Sequence, residues 1–191
     1  MTDYPNWFNH TAKGNFEEFL KPLAGKDGLR FLQLGVFTGD ASLWLLENAL
    51  TGNDCWLVDV DTWQGSDEQE HKSMDFDDVF QAYKSKIEPY SKKVSCYIGE
   101  TISYLKKEQQ EYFYDFIYID ADHTTVGVLL DAELSFPLLK SGGIMAFDDY
   151  TWGVELSFGL SPALGIDLFL SRHGKEYKLL AIGAQIWIQK K

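Results

Sequence analysis

Short apolar runs alternate with helix-like stretches along most of this chain, and few folds accommodate that rhythm. Arg30–Leu34, Cys55–Asp61, Lys93–Ile98, Tyr114–Ile119 and Gly143–Phe147 each read as a strand. Between them lie Ala41–Leu50, Asp75–Ile87, Thr101–Gln109 and Thr125–Leu139, each read as a helix. Phe76, Val79, Phe80 and Tyr83 fall on one side of the second helix, and Pro137 breaks the fourth. Parallel strands need long crossovers of this kind, so the pattern predicts an α/β, three-layer fold with helices on both faces of a mostly parallel sheet. The ending differs. Ser161–Ser171 reads as a helix opened by Pro162. Glu176–Ile182 and Gln185–Gln189 follow, split only by Gly183-Ala184, a connection short enough to demand an antiparallel pair. The sheet should therefore have seven strands with one reversed. Residues 1–27 read as a helical extension of a single domain over 1–191, with Phe16, Phe19 and Leu20 at helical spacing and Asn15 and Glu18 as a capping box.

Composition narrows the functional classes. The 191 residues suit one domain, and the net charge of −12 argues against nucleic acid or an anionic membrane as a partner. Hydrophobic residues make up 45%, enough for a packed core. No apolar run approaches the roughly 20 residues of a membrane span. The polar start, Met1-Thr2-Asp3-Tyr4-Pro5, lacks the pattern of a secretory signal. A cytoplasmic protein is expected, with Cys55 and Cys96 as free thiols.

Open parallel sheets bind ligands beyond the carboxyl ends of their strands. Glycines and acids collect there in this chain. Gly35 and Gly39 form G-x-x-x-G, with Phe37 where a dinucleotide fingerprint needs its second glycine. A nucleoside without a phosphate fits that loop better than a nicotinamide cofactor. Asp61, or alternatively Asp59, ends the second strand and can accept from ribose hydroxyls. Trp63 can stack on an adenine edge or pack beneath the loop. Gly99, Glu100 and Thr101 follow the third strand, and Asp120, Asp122 and His123 the fourth. Asp148 and Asp149 follow the fifth. If strands four and five are neighbours, Asp120, Asp148 and Asp149 converge as hard oxygen ligands for Mg²⁺ first, or Mn²⁺ or Ca²⁺, with Asp122 as a replacement for Asp120. His123 is the expected general base and His71 the runner-up. Tyr150 and Trp152 either line an acceptor pocket or belong to the core.

Phe31-Leu-Gln-Leu-Gly-Val-Phe-Thr-Gly39, Val58-Asp-Val-Asp-Thr-Trp-Gln-Gly65, Ile98-Gly-Glu-Thr101, Tyr118-Ile-Asp-Ala-Asp-His123 and Leu138–Asp149 together resemble the class I S-adenosylmethionine-dependent methyltransferases. The resemblance spans about residues 28–150 and is closest to the metal-dependent small-molecule O-methyltransferases of the macrolide-sugar and catechol types. It implies a Rossmann-like sheet of order 3-2-1-4-5-7-6 with strand 7 antiparallel. It implies S-adenosylmethionine held by Gln33, Gly35, Phe37, Gly39, Asp59, Asp61, Trp63, Gly99, Glu100, Thr101 and Asp120. It also implies methylation of a hydroxyl on a small molecule such as a sugar or catechol, assisted by the divalent metal. Such families often carry an acid two residues before the first glycine. Here Gln33 stands there, able to bond the methionine amino group without charge. Two alternatives stay open: a metal-dependent hydroxylase, which would want two histidines and one carboxylate, and a nucleoside-binding module without turnover. The sequence leaves homo-oligomerisation open.

Overall fold

Every run read as a strand is a strand in the computed structural model, which describes residues 4–66, 70–108, 110–153 and 161–191. The strands are β1 (Arg30–Leu34), β2 (Trp56–Asp61), β3 (Val94–Ile98), β4 (Tyr114–Ile119), β5 (Leu139–Phe147), β6 (Tyr177–Ile182) and β7 (Ile186–Lys190). They form one sheet of order β3-β2-β1-β4-β5-β7-β6. The first five run parallel, and β7 is antiparallel to both of its neighbours. Winding reverses between β1 and β4, which opens a crevice at their carboxyl ends.

Helices α1 (Trp7–Thr11), α2 (Lys13–Phe19), α3 (Asp40–Asn48), α4 (Phe76–Ile87), α5 (Thr101–Leu105), α6 (Thr125–Ser135) and α7 (Pro162–Arg172) cover the sheet. Side chains alternate across a strand, so each strand feeds two cores. Phe31, Phe116, Tyr118, Ala146 and Trp187 pack with Phe16 of α2, Leu45 of α3 and Val79 of α4. Leu34, Ile117, Met145, Phe147 and Ile188 pack on the opposite face with Ala132 of α6 and Phe169 of α7. The two faces make the three layers.

Several boundaries differ from expectation for local reasons. The capping box at Asn15 does not form, because α2 already begins at Lys13. The Asn15 amide instead donates to Gln185 Oε1 at 2.9 Å. α6 stops at Ser135 because Pro137 lies in a 3₁₀ turn over Phe136–Leu138. β5 starts early, at Leu139, which pairs with Tyr114. α5 ends at Leu105, and Gln109 of the expected helix lies outside the described residues. Residues 67–69 and 154–160 also lie outside them. The N-terminal segment packs on its own sheet: Phe16 is fully buried, with ring contacts to Trp44, Tyr118 and Trp187. No helix among the described residues is long and apolar enough to cross a membrane.

Candidate active site

The loop after β1 is shaped by two glycines for steric reasons. Gly35 has φ +83°, and a Cβ there would lie 1.8 Å from the Asp120 carbonyl oxygen. Gly39 has φ +79° at the start of α3, and a Cβ would meet the Tyr83 ring at 2.7 Å. Between them Phe37 adopts φ +52°, a left-handed conformation that a side chain occupies only when something holds it. Asp61 does the holding. Its Oδ2 accepts from the amides of Val36 at 2.7 Å and Phe37 at 3.0 Å. Its Oδ1 accepts from the Trp63 amide at 2.8 Å. The Trp63 indole donates to the Phe37 carbonyl at 2.9 Å and packs against Phe80 and Tyr83. Trp63 is thus buried beneath the loop.

Gln33 and Asp59 point inward from the same face. Gln33 donates to the Gly35 carbonyl at 2.9 Å and accepts from Ser42 at 3.2 Å, so its amide ties the loop to α3. Asp59 is fully buried and accepts from the Tyr83 hydroxyl at 3.0 Å. Burial pushes its carboxyl up to about 7 against the pull of its hydrogen bonds. The carboxylate left at the rim of β2 is Asp61. Beyond β3, the Gly99 amide donates to the Asp61 carbonyl at 2.8 Å, and Glu100 is exposed ahead of α5. The Thr101 hydroxyl turns to α6 and donates to Asp131 at 2.6 Å. Burial pushes the Asp131 carboxyl up to about 7 as well.

Acids converge beyond β4 and β5. Asp120, His123 and Asp149 each offer a donor atom within 4.8 Å of the others. His123 Nε2 lies 3.1 Å from Asp149 Oδ2 and 3.8 Å from Asp120 Oδ1. The acid pair after β5 divides. Asp149, at φ +56°, faces the cluster. Asp148 is buried, accepts from the Tyr118 hydroxyl, and also accepts from the Asp149 amide at 2.8 Å. Of the expected trio Asp120, Asp148 and Asp149, the structure groups Asp120 and Asp149 with His123, while Asp148 lies behind them against Tyr118. Burial pushes the Asp120 carboxyl well above the carboxylate range; the charges of Asp148 and Asp149 add to this, and His123 opposes it. Such crowding is what a divalent cation would relieve; the two carboxylates suit a hard cation, and the imidazole favours Mn²⁺ over Mg²⁺.

Other residues singled out by the sequence lie around this cluster or away from it. The Trp152 ring stands 5.1 Å from that of His123. Tyr150 donates to Asp167 at 3.0 Å. Asp122 accepts from the Thr124 amide at 2.8 Å, against the start of α6 where Gly127 leaves room for it. His71 meets the Ser66 hydroxyl at 2.7 Å and packs with Phe76 and Phe37, apart from the acids. Cys55 is buried, Cys96 exposed, and both are free thiols. Sequence reasoning missed Tyr118 and Gln185. Tyr118 was accessible to it, because residues 118 and 120 share a face under the two-residue period of a strand. Gln185 carries no such signal.

The family model described as "Methyltransferase domain" matches residues 32–150. No curated relative matches the sequence significantly. Among solved structures, the chain is similar to the O-methyltransferase from Bacillus cereus in complex with SAH, at 20% identity and TM-score 0.63, covering 92% of this chain and 81% of that one. It is similar to the O-methyltransferase TomG from Streptomyces achromogenes in complex with SAM, at 14% identity and TM-score 0.66, covering 100% and 92%. It is also similar to cofactor-bound Rv0187 from MTB, at 16% identity and TM-score 0.65, covering 94% and 80%. These likenesses establish a shared fold. The family match runs from Leu32 within β1 through β5 and takes in the glycine loop, Asp120, His123, Asp148 and Asp149, and on that match the chain belongs to the methyltransferase domain family.

Proposed function

We propose that this protein is an S-adenosylmethionine-dependent O-methyltransferase acting on a hydroxyl of a small molecule, a sugar, catechol or similar diol. In this reading Asp120, His123 and Asp149 hold a divalent cation; Mg²⁺, Mn²⁺ and Ca²⁺ all suit the carboxylates, and the imidazole favours Mn²⁺ among them. One observation carries the reading: the loop of Gly35 and the carboxylate cluster meet, because Gly35 packs directly on the backbone of Asp120. A nucleoside loop and a cation cluster then share one crevice. When bound, S-adenosylmethionine supplies an electrophilic methyl group and the cation lowers the pKa of an acceptor hydroxyl.

The chain's own residues supply position. Asp61, part-exposed, is the ribose ligand in preference to the buried Asp59. Glu100, exposed beyond β3, is placed for the adenine amine. Gln33 and Trp63 support the loop of Gly35, Phe37 and Gly39 from beneath. Trp152, beside His123, borders the acceptor. Holding the nucleophile and the methyl donor at fixed separation supplies much of the rate of such a transfer.

A second reading rests on the 3.1 Å contact of His123 with Asp149. There His123 is a general base oriented by Asp149, with no cation. Methyl transfer to a panel of diols, with and without chelator, separates the two. The cation reading expects activity lost on chelation and restored by Mg²⁺. The base reading expects activity indifferent to chelation. In the base reading His123→Gln should lower kcat by about 10²–10⁴-fold. S-adenosylhomocysteine binding without turnover on any acceptor would instead mark a nucleoside-binding module.

A further inference from the structure

Both segments outside the family match reach toward the acid cluster through one buried polar chain. On α2, Asn15 donates to Gln185 Oε1 at 2.9 Å. Trp187 Nε1 donates to the same oxygen at 2.9 Å, so the Gln185 amide is held in one orientation. Gln185 Nε2 then donates to the Tyr118 hydroxyl at 3.3 Å, and that hydroxyl donates to Asp148. Asp148 accepts in turn from the Asp149 amide at 2.8 Å. Gln185 and Tyr118 are each 1% exposed, so neither has water as an alternative partner.

The far end of the chain fixes an otherwise unfavourable conformation. Asp149 sits at φ +56°, where a side chain costs energy unless its surroundings enforce it. Its amide is bound by Asp148, and the next amide, Tyr150, donates to the Ala184 carbonyl at 2.8 Å. Ala184 and Gln185 are adjacent in the turn that leads into β7. The β6–β7 hairpin thus grips Asp149 from both sides, through backbone on one and through Tyr118 and Asp148 on the other.

We propose that Gln185 and Tyr118 are positioning residues that set the cation affinity of the Asp120, His123 and Asp149 cluster by holding Asp149 in its left-handed conformation. This rests on the cation reading above. Groups that orient metal ligands from behind typically change metal affinity by about 10–100-fold when removed.

Mn²⁺ titration of the full chain, followed by electron paramagnetic resonance, tests this alongside thermal melting. Tyr118→Phe removes one hydroxyl, and Gln185→Met keeps length without hydrogen bonds. Each should weaken Mn²⁺ binding by about 10–100-fold. Asn15→Ala, at the part-exposed end, should weaken it less, and it serves if a core variant does not fold. As a control, Phe31→Leu disturbs the same core without touching the chain, and should lower the melting temperature with unchanged Mn²⁺ affinity. Mn²⁺ bound equally by wild type and the chain variants, with only melting affected, would overturn the positioning role and leave the cation site standing. A wild type that binds no Mn²⁺ would overturn both.

Discussion

At residue scale, Gly35 has no room for a side chain. Gly35→Ala should cost about 1–3 kcal/mol in backbone strain alone. Collision with the Asp120 carbonyl adds to this. The variant should melt lower and lose S-adenosylhomocysteine binding, and wild-type melting with intact binding would contradict the steric argument. Asp59 makes a separate prediction in pH. Its folded pKa of about 7 lies above the ordinary carboxylate value, so the folded state holds a proton that the unfolded chain has released. Its contribution to stability is therefore greatest below about pH 4 and declines as pH rises to about 7. Asp59→Asn removes that decline, so the variant should gain on wild type in chemical denaturation between pH 5 and pH 8. A constant difference across that range would show that Asp59 is ionised in the folded protein throughout. Gly35, Asp61, Asp120, His123 and Asp149 were legible in the sequence because each ends or follows a strand at the edge where a parallel sheet opens. The division of labour within each acid pair was not. Asp59 and Asp61 share a strand face, and only the packing of Tyr83 decides which is buried. Asp148 and Asp149 are told apart by a positive φ that no residue preference announces.

At element scale, α2 does more than extend the domain. Ala12, Phe16 and Leu20 recur every four residues, and all three are fully buried. Phe16→Ala should destabilise the protein by about 3–5 kcal/mol, the usual loss for a large buried aromatic. Denaturant melts would measure it, and a loss under 1 kcal/mol would mean that the helix is not part of the cooperative core. The helical period at Phe16 and Leu20 was readable, but the start of the helix was not. Asn15 is a good capping residue by type, yet it is the third residue of α2 because the core, not the cap, sets the helix position. The break at Pro137 and the β6–β7 hairpin were readable from steric rules that need no tertiary context. The early start of β5 depends on its pairing with β4, a long-range contact that no local pattern encodes.

At the scale of the whole molecule, the sheet order puts the candidate site residues of four strands along one edge. β1 brings the glycine loop, β2 brings Asp61, and β4 and β5 bring the acids. The two chain ends, outside the matched domain, close back on that edge through Asn15 and Gln185. In the proposed function this edge is a nucleoside pocket beside a cation site, and the pocket can be tested apart from any acceptor. Calorimetric titration of the purified protein with S-adenosylhomocysteine, with Mg²⁺ and again after chelation, is the direct measurement. The account predicts one-to-one binding in both conditions, because the glycine loop and Asp61 stand on their own hydrogen bonds. Absence of binding in both conditions would contradict it and leave the methyltransferase fold without its cofactor.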